Sequence, residues 1–144
     1  MQASYFQNRM RSTARRPEDG VRGSSFRDLI VWQRSIDLSI AVYGLTARFP
    51  RDEKFGLTSQ LRRAAVSVAS NLAEGHGRAG TGEFLQFIGF ARGSNSEVET
   101  QLVIAERLGF GVPADLEKAQ RLCSECGKLI NALMKAMREK ANRI

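Results

Sequence analysis

The sequence predicts an all-α fold: an antiparallel up-and-down four-helix bundle over residues 25–144, preceded by a flexible basic N-terminal arm over residues 1–24. Three observations predict it. Apolar residues recur at steps of three and four in four separate segments, the period of a helix that buries one face. Glycine and proline gather between those segments and leave breaker-free stretches of helical length, such as 24–43 and 57–74. The remaining connections are short, which makes antiparallel neighbours the simple solution. With 144 residues, 42% of them hydrophobic, the chain can fill one core but not two comfortable ones.

The elements follow in order. Residues 1–24 lack apolar periodicity and gather Gln, Ser, Arg and Gly, the composition of an arm. Ser24 or Ser25 can cap the first helix, expected from about Arg27 to Arg48 and ended by Phe49-Pro50, because a residue before proline is pushed out of the α region. This helix carries two apolar stripes: Leu29, Ile36, Ile40, Tyr43 and Ala47 on one face, and Val31, Leu38, Val42, Leu45 and Phe49 on another. A bundle helix needs only one. The second implies either a wide contact inside the bundle or a surface covered by another subunit.

The second helix is expected after the loop Pro50–Lys54 and up to Gly75, with Leu57, Leu61, Ala64, Val68 and Leu72 as its core stripe. Ala65, Ala69 and Ala73 add a small face that lets a neighbour come close. The third, Thr81 to Leu108, is expected to start with a threonine cap and to carry its apolar stripe through Phe84, Phe87, Ile88, Ala91, Val98, Leu102, Ala105 and Leu108. Its own small residues, Gly89, Gly93 and Ser96, are expected to oppose the alanine row. The fourth runs from Ala114 to about Ala141, with Leu116, Ala119, Cys123, Cys126, Ile130, Leu133 and Met137 in a near-heptad stripe.

Charge becomes informative once divided along the chain. The formal net charge is +7, yet the segment 26–127 balances its basic and acidic residues. The excess lies at the two ends, on Arg9, Arg11, Arg15, Arg16 and Arg22 in the arm and on Lys128, Lys135, Arg138, Lys140 and Arg143 in the fourth helix. Such a distribution suits a polyanionic partner, so these ten residues are the candidate nucleic-acid contacts. No window approaches the roughly 18 apolar residues of a membrane span, so no membrane partner is expected, and two isolated thiols fit the reducing cytoplasm.

No catalytic residue, cofactor or metal is expected. Cys123 and Cys126 form a CxxC pair, but they lie turns inside a helix rather than at an N-terminus that would activate a thiol, and they read as core. One CxxC and a lone His76 are too few ligands for a closed zinc site. The glycines of 75–82 lack the lysine of a phosphate-binding loop. A polar row, Gln60, Arg63, Ser67, Asn71, Glu74 and Arg78, follows one side of the second helix, with Ser94, Glu97, Glu99 and Gln101 as candidates to face it. It can be a solvated face, a hydrogen-bond network that fixes helix register, or a recognition surface.

Several of these pieces combine into a familiar pattern. Phe49-Pro50, Glu53, Phe55-Gly56-Leu57, the run Gln60 to Ser67 and Asn71-Leu72-Ala73-Glu74-Gly75 resemble the bacterial four-helix-bundle family named after proteins encoded in intervening sequences of 23S rRNA genes. Asp28-Leu29 with Val31-Trp32-Gln33, and Ala91-Arg92-Gly93-Ser94 with Glu97 and Glu99, resemble its first and third helices. The resemblance implies an up-and-down bundle that assembles into a homo-oligomeric ring, typically a pentamer, with no enzymatic activity. Related bundles, the accessory variability determinants of diversity-generating retroelements, bind a reverse transcriptase and its template RNA.

The expected function is therefore a non-enzymatic, nucleic-acid-associated assembly, with RNA and a reverse transcriptase as partners. The opposing expectation is a protein-interaction module with no nucleic acid. Trp32 and most of the Phe residues fall on apolar stripes, so no aromatic platform for bases is expected.

Overall fold

The computed structural model describes residues 25–143. Every regular element among them is helical: α1 (Ile30–Thr46), α2 (Leu57–His76), α3 (Thr81–Leu108) and α4 (Pro113–Asn142), with single 3-10 turns at Phe26–Asp28 and Arg51–Glu53. Each helix packs on its neighbours in the chain and α4 closes on α1, while diagonal backbones stay apart and meet only through side chains of the shared core. The pairing is antiparallel throughout. Near one end Val31 of α1 packs with Ile130 and Met134 of α4; near the other Leu45 and Phe49 pack with Leu116.

The helix ends show why the sequence breaks where it does. Ser25 caps the opening 3-10 turn, its Oγ accepting from the Arg27 N–H at 3.2 Å, so α1 itself begins three residues later than expected. Glu53 caps α2, its carboxylate accepting from the Leu57 N–H at 2.9 Å, where the free N–H groups of a helix start favour an anion. The expected threonine cap of α3 is absent: Gly80 holds the N-cap position and no side chain bonds there. Gly109 closes α3 at φ 72°, a left-handed conformation that glycine adopts without a Cβ penalty. Pro113 opens α4 at a position where its missing N–H costs nothing.

The two stripes of α1 divide. Val31, Leu38, Val42, Leu45 and Phe49 are buried, each large side chain contributing about 1.5–3 kcal/mol of apolar burial. Most of the other stripe faces outward, with Ile40 46% and Tyr43 47% exposed, whereas Ile36 is half-buried and Leu29 packs against the core; Leu108, expected on the apolar stripe of α3, is 56% exposed. Within one chain the wide contact is made only at the start of the stripe, and Ile40, Tyr43 and Ala47 stay at the surface.

The glycine pairing expected between α2 and α3 is also corrected. A Cβ built on Gly89 or Gly93 meets nothing within 4 Å, and Gly93 and Ser96 are exposed. The close approach is elsewhere, at Gly75 of α2, where a Cβ would collide with the Cβ of Phe87 and lie 3.0 Å from Cδ2 of Phe84. The alanine row does its expected work, with Ala65 and Ala69 buried. Opposite α2, however, stand Phe84, Phe87 and Ser94 rather than the glycines.

The core falls into two clusters. One spans Leu38, Val42, Leu45, Phe49, Leu61, Val98, Leu102, Leu116, Cys123 and their neighbours; the other spans Val31, Val68, Leu72, Ile88, Ala91, Ile130 and Met134. Between them in sequence lie the buried polar residues Ser35 on α1 and Asn95 on α3. Both are satisfied: Ser35 Oγ donates to the Trp32 carbonyl at 2.7 Å, and Asn95 Nδ2 donates to the Cys123 carbonyl of α4 at 3.1 Å.

Candidate nucleic-acid interface

The basic end of α4 is a continuous helix. Lys128 and Lys135 are seven residues apart, two helical turns, and Arg138 follows three residues on, so these three share one side. Lys140 and Arg143 turn to other sides. All five are exposed or half-buried at the surface, and from Lys128 to Arg143 they span about 22 Å of helix axis at 1.5 Å per residue. Arg121, one heptad before Lys128, is also exposed and extends the line; the charge partition missed it because it lies in the balanced segment. Packing ends at Met137, the last α4 side chain set against the core, and Arg138, Glu139 and Lys140 beyond it are exposed. Cations here also complement the negative end of the helix dipole. Arg9, Arg11, Arg15, Arg16 and Arg22 lie outside the described residues.

The polar row resolves into a seam of hydrogen bonds along the α2–α3 groove. Ser94 Oγ donates to Ser67 Oγ at 3.2 Å, and Gln101 Nε2 to Gln60 Oε1 at 3.4 Å. Asn71 Nδ2 donates back to the Ser67 carbonyl and hydroxyl, at 2.8 and 3.2 Å. Glu74 and Arg78 pair at 2.7 Å one turn apart, exposed, and the Arg78 guanidinium sits 5.0 Å from the Phe87 ring centroid. Arg63 is exposed and makes no hydrogen bond or ion pair in this seam; it lines the neighbouring groove together with Ser67. Glu97 and Glu99 are exposed and make no hydrogen bond or ion pair among the described residues, so they add no bond to the row.

The thiols of Cys123 and Cys126 are free and buried, and burial pushes both up to about 12. Neither is a thiolate at neutral pH, and neither suits nucleophilic or redox work. His76 packs edge-on to Phe84 at 5.7 Å between centroids. Among the described residues no three His, Cys, Asp or Glu side chains gather as a metal site would require, and no helix is long and apolar enough to cross a membrane.

One surface escaped the sequence reading. Tyr43 of α1, the loop residues Lys54 and Phe55, and Thr58, Ser59, Arg62, Arg63, Val66, Ser67 and Ser70 of α2 line a shallow, open groove of about 670 Å³. Arg62 is fixed across the helix pair: its Nε donates to Thr46 Oγ1 at 2.8 Å and its guanidinium lies 4.4 Å from the Tyr43 ring centroid. Phe55 is 89% exposed, with Lys54 Nζ 5.5 Å from its centroid. Phe55 thus leaves one aromatic ring open to solvent, apart from the Trp and Phe residues expected on the apolar stripes. The signal was a Phe in a loop, outside every helical stripe.

Fold and surface together define an antiparallel four-helix bundle with a basic, projecting helix end. The chain belongs to the 23S rRNA-intervening sequence protein family, whose pattern matches residues 27–132. Among solved structures it is similar to a protein of unknown function from the S23 ribosomal protein family of Bacteroides thetaiotaomicron VPI-5482, at 19% identity and a TM-score of 0.68, over 74% of this chain and 99% of that one. That likeness concerns the fold. No curated protein matches the chain.

Proposed function

We propose that this chain is a non-enzymatic bundle that self-associates, as a ring of five by resemblance to its family, and binds RNA through its basic ends. The observation that carries the reading is the line Lys128, Lys135 and Arg138, continued by Lys140 and Arg143 on a helix end that outruns the core. Repeating those charges in several subunits creates a field that attracts a phosphate backbone. The outward stripe of α1, with Ile40 about half exposed, supports contact between copies. A reverse transcriptase with its template RNA, in the cytoplasm, is the partner that the accessory-protein resemblance favours.

The test is a gel shift with structured RNA at low and moderate salt. We expect binding that weakens steeply with salt, and charge-neutral substitution of Lys128, Lys135, Arg138 and Lys140 to flatten the slope by about one for each phosphate no longer neutralised. Absence of a shift at both salt concentrations refutes the reading. Protein purified with no associated nucleic acid and no salt-dependent binding instead favours a protein-interaction module.

A further inference from the structure

We infer that the groove between α1 and α2 is a separate site for single-stranded nucleic acid, in which a base stacks on Phe55 while the flanking phosphates meet Lys54, Arg62 and Arg63. This rests on the reading that the chain binds RNA, and adds to it a second place and a different chemistry.

The lining decides the class of occupant. It holds three cations and no carboxylate, with hydroxyls from Thr58, Ser59, Ser67 and Ser70. A partner seated by apolar contact alone would leave Lys54, Arg62 and Arg63 crowded without counter-charge. A phosphate backbone brings one negative charge per nucleotide and acceptors for the hydroxyls. The exposed ring adds what a duplex cannot use, since paired bases are already stacked on each other, whereas a single strand offers free π-faces. Phe55 sits at the groove rim with a lysine held against its ring, so stacking and phosphate contact are available side by side. Arg62 is pre-set by Thr46 and Tyr43, and its terminal Nη groups have no hydrogen-bond partner among the described residues. Arg63, the next residue, makes no ion pair or hydrogen bond among them either. None of the three cations is thus neutralised by a carboxylate among the described residues.

The experiment measures fluorescence anisotropy of the full chain with a short labelled oligouridine and, separately, with an RNA duplex of equal length. Phe55→Ala is expected to weaken oligouridine binding about ten-fold, the loss of one base stack, and to leave duplex binding unchanged. Phe55→Tyr is expected to retain binding, and the pair Lys54→Gln with Arg63→Gln to weaken it and reduce its salt dependence. Lys135→Gln with Arg138→Gln should weaken both ligands. Because Phe55 is almost wholly exposed, its substitution should leave the thermal midpoint in place. Oligouridine binding unchanged in Phe55→Ala, or lowered equally with duplex binding, overturns the groove assignment while leaving the RNA reading intact. So does a fall in sedimentation coefficient for Phe55→Ala, which would mean that a second copy of the chain fills the groove. If the unaltered chain binds neither ligand, both readings fall.

Discussion

Gly75 and Gly93 receive the same substitution with opposite expected signs. Both lie inside helices, where replacing glycine by alanine gains about 1 kcal/mol from reduced backbone freedom in the unfolded chain. At Gly93 a Cβ points into open space, so Gly93→Ala should keep most of that gain. At Gly75 the new methyl collides with the Cβ of Phe87, an atom anchored to the α3 backbone, and presses on Phe84. Relief requires the helices to move apart, and overpacking of that kind costs about 3 kcal/mol at the upper end of its usual range. The net for Gly75→Ala is a loss of about 2 kcal/mol. For a chain of this length, roughly 4 °C of midpoint accompanies each kcal/mol. Thermal melts followed by circular dichroism should therefore place Gly75→Ala about 8 °C below the parent and Gly93→Ala a few degrees above it. A Gly75→Ala protein as stable as its parent would refute the close contact. A Gly93→Ala protein that loses stability would restore the glycine pairing first expected from sequence.

Two further outcomes follow from the buried polar and thiol groups. Asn95→Ala should lower the denaturant midpoint by the equivalent of about 1–3 kcal/mol, because it leaves a cavity and strips the Cys123 carbonyl of its side-chain donor; urea titration reads it directly. Burial holds Cys123 and Cys126 neutral up to about 12, whereas unfolded thiols ionise near about pH 8.5, so the unfolded state sheds protons first. Stability from this source is complete below about pH 8.5 and is lost progressively as pH rises toward 12. Urea midpoints measured across that window should fall, and replacing both cysteines by alanine should flatten the decline.

What was legible in the sequence was the set of helices. Their apolar residues keep a 3.6-residue period and their breakers stand outside it, so α3 falls on Thr81–Leu108 as expected and α4 within a residue. Three things were hidden, each for a physical reason. On α1 both stripes are apolar, and Ser35 interrupts the buried one, so periodicity could not choose between them; the buried stripe tolerates Ser35 because its hydroxyl bonds to its own helix. On α3 small residues recur on more than one face, and which of them meets α2 depends on the rotation of the helix, set by the bulk of Phe84 and Phe87 against Gly75. The groove draws Tyr43 from one helix, Phe55 from a loop and Arg62 from another helix. No local pattern unites them.

The interruption of the core at Ser35 and Asn95 has a dynamic meaning. Two apolar clusters separated by a polar level are two cooperative units that need not open together. The smaller one, around Val31, Leu72, Ile88 and Met134, lies beside the projecting basic end of α4. Amide hydrogens of that half should exchange with solvent through partial openings of lower free energy, while those around Leu45 and Leu102 wait for global unfolding. The end of the molecule that carries the exposed cations of α4 is thereby the end expected to open first, on a footing that stays folded.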